Sequence, residues 1–292
     1  MDTESASLIT WSFGVATGAY AVLAVFLLSL GQEWHAGRRA RIILMAVALS
    51  FAWSGMSFLA TLVRQPLFHL LASLLDILRF GAWYGFLTYL LIPESGKNRS
   101  GTLLPSWLIP VCWLTVFGGT VLQVSLAFGW LPASQWFRTA LFHALAMPVI
   151  GLMLVEQLFR SIADDSAWNI KPLCLGLAGQ FVFDIYLFSD ALMFNRVDSD
   201  ALTVRGFIHA ITIPLLILAS LRSRDWTSKI RLSQKAAFHS ATLLAAGLYL
   251  LFMAGIGYYV RYFGGDWGGV FQLAIVCAAI LGLGVLVVSG SM

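Results

Sequence analysis

Ionisable residues inside long apolar segments are the first candidates for chemistry in this 292-residue sequence. His69, Asp76 and Arg79 fall in one such segment, at spacings of seven and three residues that place them on one face of a helix. Asp76 and Arg79 can form an ion pair across a single turn. Two interpretations stay open: the pair fixes helix packing, or the stripe contacts a ligand or a signal.

A second group of polar residues occupies two later apolar segments. Gln180 and Asp184 are one turn apart, Asp190 lies nearer the segment end, and Arg205 and His209 are one turn apart in the next segment. Asp184 has no basic partner within its own helix. We therefore predict that it faces the protein interior and bonds a donor on another helix, or is protonated. Arg205 and Asp190 lie at similar depths, so Arg205 could approach Asp190.

A glycine-rich stretch near the end of the sequence is a third candidate. In "VRYFGGDWGGV", residues 260–270, four glycines surround Asp266 and Trp267, and tyrosines precede them. Glycines permit tight turns and close backbone approach, which favours a loop that contacts a signal. The alternative is that Trp267 only anchors a helix at a membrane interface.

Several kinds of chemistry are not indicated by the sequence. We find no phosphate-binding loop, no HExxH motif, no nucleophile elbow and no kinase glycine-rich loop, so we predict no catalytic, cofactor-binding or metal-binding residues. Cys112, Cys174 and Cys277 all lie in apolar segments and are expected to be buried without disulfides.

Composition sets the class of fold that must position these residues. Hydrophobic residues make up 59% of the chain and charged residues only 11%, and the mean hydropathy is +0.83. A soluble domain carries roughly 25% charged residues. Apolar segments of about 18 residues or more recur throughout, each long enough to cross a bilayer. We predict an all-α, polytopic helical membrane bundle, in contact with membrane lipid.

The apolar segments predict nine membrane spans. Short connections between them make sequential helices antiparallel neighbours. The predicted spans are 8–30, 42–63, 67–92, 103–128, 137–159, 172–194, 201–221, 236–260 and 270–289.

Basic residues in the connections predict the orientation. With the N-terminus outside, twelve of the 18 Lys and Arg residues fall on the cytoplasmic side and five on the outer side, and Arg79 lies within a span. The positive-inside rule thus favours an N-terminus outside and a C-terminus in the cytoplasm. Because the basic residues are spread over short connections in this way, the net charge of +4 does not indicate nucleic-acid binding. Three regions follow: a seven-span membrane bundle over 1–221, a basic cytoplasmic loop over 222–235, and two further spans over 236–292.

The second half of the sequence resembles a known family. "VEQLFR" (155–160), "IKPLCLGLAGQFVFDIYLFSDALMF" (170–194), "RGFIHAITIPLLILASLRSRDW" (205–226) and above all "GYYVRYFGGDWGG" (257–269) are similar to the membrane half of the sensor histidine kinases of the XrtA/PEP-CTERM system, the PrsK family. The resemblance implies a multi-pass protein of the bacterial inner membrane that senses an envelope signal. It further implies a homodimer and a cytoplasmic response regulator as partners, in control of exopolysaccharide and PEP-CTERM sorting genes.

Kinase activity itself is not expected of residues 1–292. The resemblance places a phosphoacceptor domain and an ATP-binding domain after the last span, and neither is found in this sequence. We therefore expect a sensory module that is inactive as an enzyme alone and needs no cofactor, with ATP required only by the kinase domains. The main alternative is a small-solute transporter or channel, for which broken helices and internal repeats would be typical.

Overall fold

The computed structural model describes residues 3–30, 38–63, 65–91, 107–161 and 164–222, and seven α-helices cover this part of the chain. The predicted eighth and ninth spans, the 223–235 part of the basic loop and the stretch with Asp266 and Trp267 lie outside the described residues. The helices are α1 (Thr3–Ser29), α2 (Arg38–Val63), α3 (Pro66–Leu91), α4 (Leu108–Ala127), α5 (Ala133–Ser161), α6 (Asp164–Phe194) and α7 (Ser199–Arg222).

Each of the first seven predicted spans corresponds to one of these helices. All seven are long and apolar enough to cross a membrane, as a multi-pass membrane protein requires. The main difference is at helix ends: α6 begins at Asp164, whereas the predicted span begins at 172. Hydropathy marks the part of a helix that fits the bilayer core, and the more polar turns before it can remain helical.

Helix ends and prolines follow local backbone rules. Gly129 after α4 and Asn195 after α6 have positive φ values of 71° and 53°, the left-handed conformation that commonly ends a helix. In each case an amide beyond the helix bonds a carbonyl five residues earlier, from Trp130 to Ser125 and from Arg196 to Ala191. Three prolines, Pro148, Pro172 and Pro214, lie within α5, α6 and α7, which neighbouring helices permit in a membrane bundle.

The helices pack in a closed circuit. Close contacts join α1 to α2, α2 to α3, α3 to α5, α5 to α6, α6 to α7 and α7 back to α1, and α4 packs on the outside against α3 and α5. The interior is apolar and aromatic, with Trp53, Trp83 and Phe181 almost completely buried. Large apolar residues remain on the outer faces, for example Leu114 and Phe117 of α4, each 69% exposed, as expected of a lipid-facing surface.

Two of the three cysteines can be placed in this structure. Cys112 and Cys174 are free and buried, as predicted. Cys277 lies outside the described residues.

Candidate functional site: a buried ring of ion pairs

Four charged side chains from three helices form a closed ring inside the bundle. The ring, called the ion-pair ring below, consists of Asp76 and Arg79 of α3, Asp184 of α6 and Arg205 of α7. Each carboxylate contacts both guanidinium groups. Two carboxylates and two guanidiniums give the ring no formal net charge, which makes its burial possible.

The first side of the ring is the intrahelical pair predicted from spacing. Arg79 Nη2 donates to Asp76 Oδ1 at 2.6 Å, and Arg79 Nε donates to the same oxygen at 3.0 Å. The same Nη2 also lies 3.3 Å from Asp184 Oδ2 and therefore reaches α6. Arg79 thus joins α3 to α6.

Arg205 closes the ring from α7. Its Nε donates to Asp184 Oδ1 at 2.7 Å, while its Nη2 donates to Asp184 Oδ2 at 3.2 Å and to Asp76 Oδ2 at 2.8 Å. Such charge-assisted, two-pronged contacts are the strongest hydrogen bonds that arginine makes. They fix the depth of α7 relative to both α3 and α6.

The ring is shielded from solvent very unevenly. Asp184 and Arg79 are 0% exposed and Arg205 is 5% exposed, whereas 16% of the Asp76 side chain is accessible. Trp53 of α2 lies over the guanidinium carbons of Arg79 at 4.1 Å and of Arg205 at 4.8 Å, measured from a ring centroid. An aromatic face stabilises a desolvated cation by about 2 kcal/mol. Trp53 therefore brings a fourth helix into the site.

A hydrogen-bonded chain continues from the ring toward α1. Arg79 Nη1 lies 3.3 Å from His209 Nε2, and the Tyr20 hydroxyl lies 2.9 Å from His209 Nδ1. Gln180 Nε2 donates to the Thr212 hydroxyl at 2.6 Å, and the Tyr20 hydroxyl is 3.5 Å from Gln180 Oε1. With the ring, this chain connects α1, α3, α6 and α7 through polar side chains in a mainly apolar interior.

A cavity of about 230 Å³ borders the ring. This ring-side cavity lies between α1, α2, α3 and α7, at the end of the bundle where α1, α3 and α7 begin and α2 ends. Its polar lining includes Asp76 and Arg205 from the ring, together with His69. Asp76 owes its partial exposure to this position beside the cavity.

The structure brings together most of the residues that the sequence singled out. Asp184 is buried and bonded to a donor on another helix, so its predicted environment is confirmed. His69 lies on the cavity wall, away from the ring. The approach of Arg205 to Asp190 is not found among the described residues: Arg205 bonds Asp184 and Asp76, because Asp184 lies six residues deeper in α6 and is buried, whereas Asp190 is only partly buried.

Three participants were not singled out from the sequence. Tyr20, Trp53 and Thr212 look like ordinary helix residues, and no motif marks them. Only their contacts with the arginines, the histidine and the glutamine show that they belong to the site. An aromatic residue in an apolar helix is usually core, so sequence alone offered no signal here.

The arrangement suits positioning, recognition and switching. Among the described residues, no group of three or more His, Cys, Asp or Glu side chains is arranged to hold a metal ion. The ring joins three helices through ion pairs, so a shift of one helix alters contacts at the other two, and Asp76 and Arg205 line the ring-side cavity and can contact a molecule there. Comparison with known proteins identifies no relative: no family model, no curated protein and no solved structure matches the chain.

Proposed function

We propose that this chain is the membrane-embedded sensory module of a bacterial two-component sensor histidine kinase of the inner membrane. In this proposal the bundle detects an envelope signal and passes it to cytoplasmic kinase domains that use ATP and phosphorylate a response regulator. The regulated genes would be those of exopolysaccharide synthesis and PEP-CTERM protein sorting, and the working unit would be a homodimer. The resemblance of residues 155–269 to the PrsK family supports these assignments.

The observation that carries the sensory part of the proposal is the ion-pair ring beside a cavity. Intramembrane charges are rare and usually functional. A signal acts only by binding one conformation better than another. In this proposal a shift of α7 relative to α3 and α6 changes the contacts that Asp76 and Asp184 make with the two arginines, and so gives the ring a second arrangement.

The proposed orientation places the cavity on the signal side. With N-out topology, the beginnings of α1, α3 and α7 face the outside, and the ring-side cavity lies at that end. The opposite end of α7 leads into the basic segment 222–235 and then to the two predicted spans before the kinase. The glycine-rich stretch with Asp266 and Trp267 would lie on the outer side as a second signal contact.

Two measurements test the proposal. The coding sequence should continue after residue 292 into a phosphoacceptor domain and an ATP-binding domain. The full-length gene product, reconstituted in nanodiscs, should autophosphorylate, and Arg205→Lys should change that rate. A shift of 1–3 kcal/mol between two states changes their ratio by roughly 5–150-fold. Membrane insertion should remain normal.

A matched control variant distinguishes an effect on signalling from a general loss of folding. Glu156 and Arg160 form an ion pair at 2.6 Å on α5, away from the ring and partly exposed. Glu156→Gln removes a charge from the same protein and should leave autophosphorylation unchanged. A stop codon directly after residue 292, or equal autophosphorylation rates in the Arg205→Lys and unaltered proteins, would contradict the proposal.

A small-solute carrier is the second candidate, favoured by the contact between a cavity and intramembrane charges. Carriers commonly place broken helices at such a site, whereas α3, α6 and α7 run through the ring without interruption. Uptake into proteoliposomes separates the two functions. Concentrative or counterflow uptake of a solute, without kinase activity in the full-length product, would favour the carrier.

A further inference from the structure

Two side chains of the ion-pair ring that line the ring-side cavity, Arg205 and Asp76, keep a hydrogen-bond donor and an acceptor that the ring does not use. Arg205 uses Nε and Nη2 for its contacts with Asp184 and Asp76, and within the described part of the chain no hydrogen bond is found at its Nη1. Asp76 accepts from both arginines, yet 16% of its side chain is still accessible. A guanidinium donor and a carboxylate acceptor therefore face the same space.

The walls add hydroxyl groups and apolar surface. Ser57 of α2 and Ser73 of α3 line the cavity, and Ile9, Phe13 and Leu202 contribute apolar faces. Apart from Arg205, the α1 and α7 walls are apolar, whereas the α2 and α3 walls also carry Thr61 and His69. This distribution fits a molecule with a polar head and an apolar body.

The net charge of the ion-pair ring and the volume of the cavity limit the class of ligand that can bind. The ion-pair ring has no formal net charge, so a ligand with a net charge would leave one charge without a partner beside side chains that are largely buried. A volume of about 230 Å³ is below the 300–1,000 Å³ that is typical of drug-sized ligand sites. The ligand must be small, and opposite charges on its head would match the opposite charges of Arg205 and Asp76.

We propose that the ring-side cavity binds a small amphipathic zwitterion of the amino-acid type. Its carboxylate lies against Arg205 Nη1, its ammonium group against Asp76, and its apolar side chain against Phe13 and Leu202. Binding adds one partner to Arg205 and one to Asp76, and so biases the ring toward the arrangement that the ligand contacts best. The statement that this ligand is the signal rests on the proposed function. The statement that the cavity binds it does not.

Calorimetric titration of the 292-residue chain in nanodiscs tests the site without any kinase activity. The probes are glycine, L-valine, L-leucine and L-phenylalanine at neutral pH. Two analogues of leucine complete the set: 4-methylpentanoate lacks the ammonium group, and 3-methylbutylamine lacks the carboxylate. We expect saturable binding of at least one apolar amino acid. Each leucine analogue should bind at least about tenfold more weakly than leucine, because it leaves one charged partner unmatched.

Space-filling variants locate the binding. Ala72→Phe on α3 and Ser57→Leu on α2 fill the cavity from different walls without altering the ring, and each should abolish binding. Ala48→Phe is the matched control, since Ala48 lies on an exposed face of α2 outside the cavity, and it should bind normally.

Three results would overturn the inference: no binding by any of the zwitterions, binding of both analogues as tight as that of leucine, or unchanged binding in both space-filling variants that retain their helix content. Because these measurements need no kinase domain, their failure would remove the ligand site and leave the autophosphorylation test of the proposed function standing.

Discussion

Asp184→Leu is the most direct test of the ion-pair ring. Asp184 is 0% exposed and accepts hydrogen bonds from Arg205 Nε at 2.7 Å, Arg205 Nη2 at 3.2 Å and Arg79 Nη2 at 3.3 Å. Leucine has a similar size but no acceptor. The variant leaves two buried guanidinium groups to share the single carboxylate of Asp76, with one uncompensated positive charge.

The expected loss of stability follows from that imbalance. Removing one partner of a buried ion pair destabilises a protein by about 3–5 kcal/mol, because the remaining charge is left desolvated. Asp184→Asn keeps one acceptor oxygen and the side-chain shape, and it should retain the fold with a smaller loss. Both values can be measured as free energies of unfolding by reversible SDS titration in mixed micelles.

A double-mutant cycle isolates the interaction itself. Asp184→Asn combined with Arg205→Gln restores a neutral ring, so the double variant should be more stable than the sum of the two single losses predicts, by roughly 0.5–3 kcal/mol. Strictly additive losses, or an Asp184→Leu protein as stable as the unaltered chain, would refute the view that the ring holds α3, α6 and α7 together.

Three further predictions concern the indole of Trp53 over the two arginines, the close contact between α7 and α1 at Gly206, and the orientation of the chain in the membrane. Trp53→Leu removes the aromatic face over both arginines and should lower the free energy of unfolding by about 2 kcal/mol or more, whereas Trp53→Phe should retain part of that stabilisation in the same titration. Gly206→Ala places a methyl group against the Ser12 backbone of α1 and should cost about 1–3 kcal/mol, whereas Gly18→Ala, which meets open space, should be nearly neutral. A reporter that is active only in the cytoplasm should be active when fused to the C-terminus and silent in the α6–α7 connection, and the reverse pattern would contradict N-out topology.

The helices were predictable from sequence because each one carries its own signal. An apolar stretch of membrane-spanning length needs no information from the rest of the chain. The Asp76–Arg79 pair was predictable for the same reason, since its two members are three residues apart on one helix. The burial of Asp184 followed from the unfavourable energy of leaving a carboxylate unpaired in lipid.

The closure of the ring was not predictable from the same reasoning. Whether Arg205 meets Asp184 or Asp190 depends on how α6 is rotated about its axis, and depth along the membrane carries no information about rotation. Trp53 likewise contacts the arginines only because α2 packs against α3 at a particular angle. Such contacts come from the assembly of several helices and have no local sequence pattern.

The way in which the four charges are divided among the helices bears on how the protein enters the membrane. α3 carries both an acid and a base, so it can insert with its own counter-charge one turn away. α6 and α7 each bring a single member of the ring, and residues 195–198 alone connect them. An isolated charge within a membrane span opposes insertion by up to about 2.5–3.5 kcal/mol. Asp184 and Arg205 meet at 2.7 Å across this hairpin. The translocation machinery can therefore release α6 and α7 into lipid as one electrically balanced unit, before either helix finds α3.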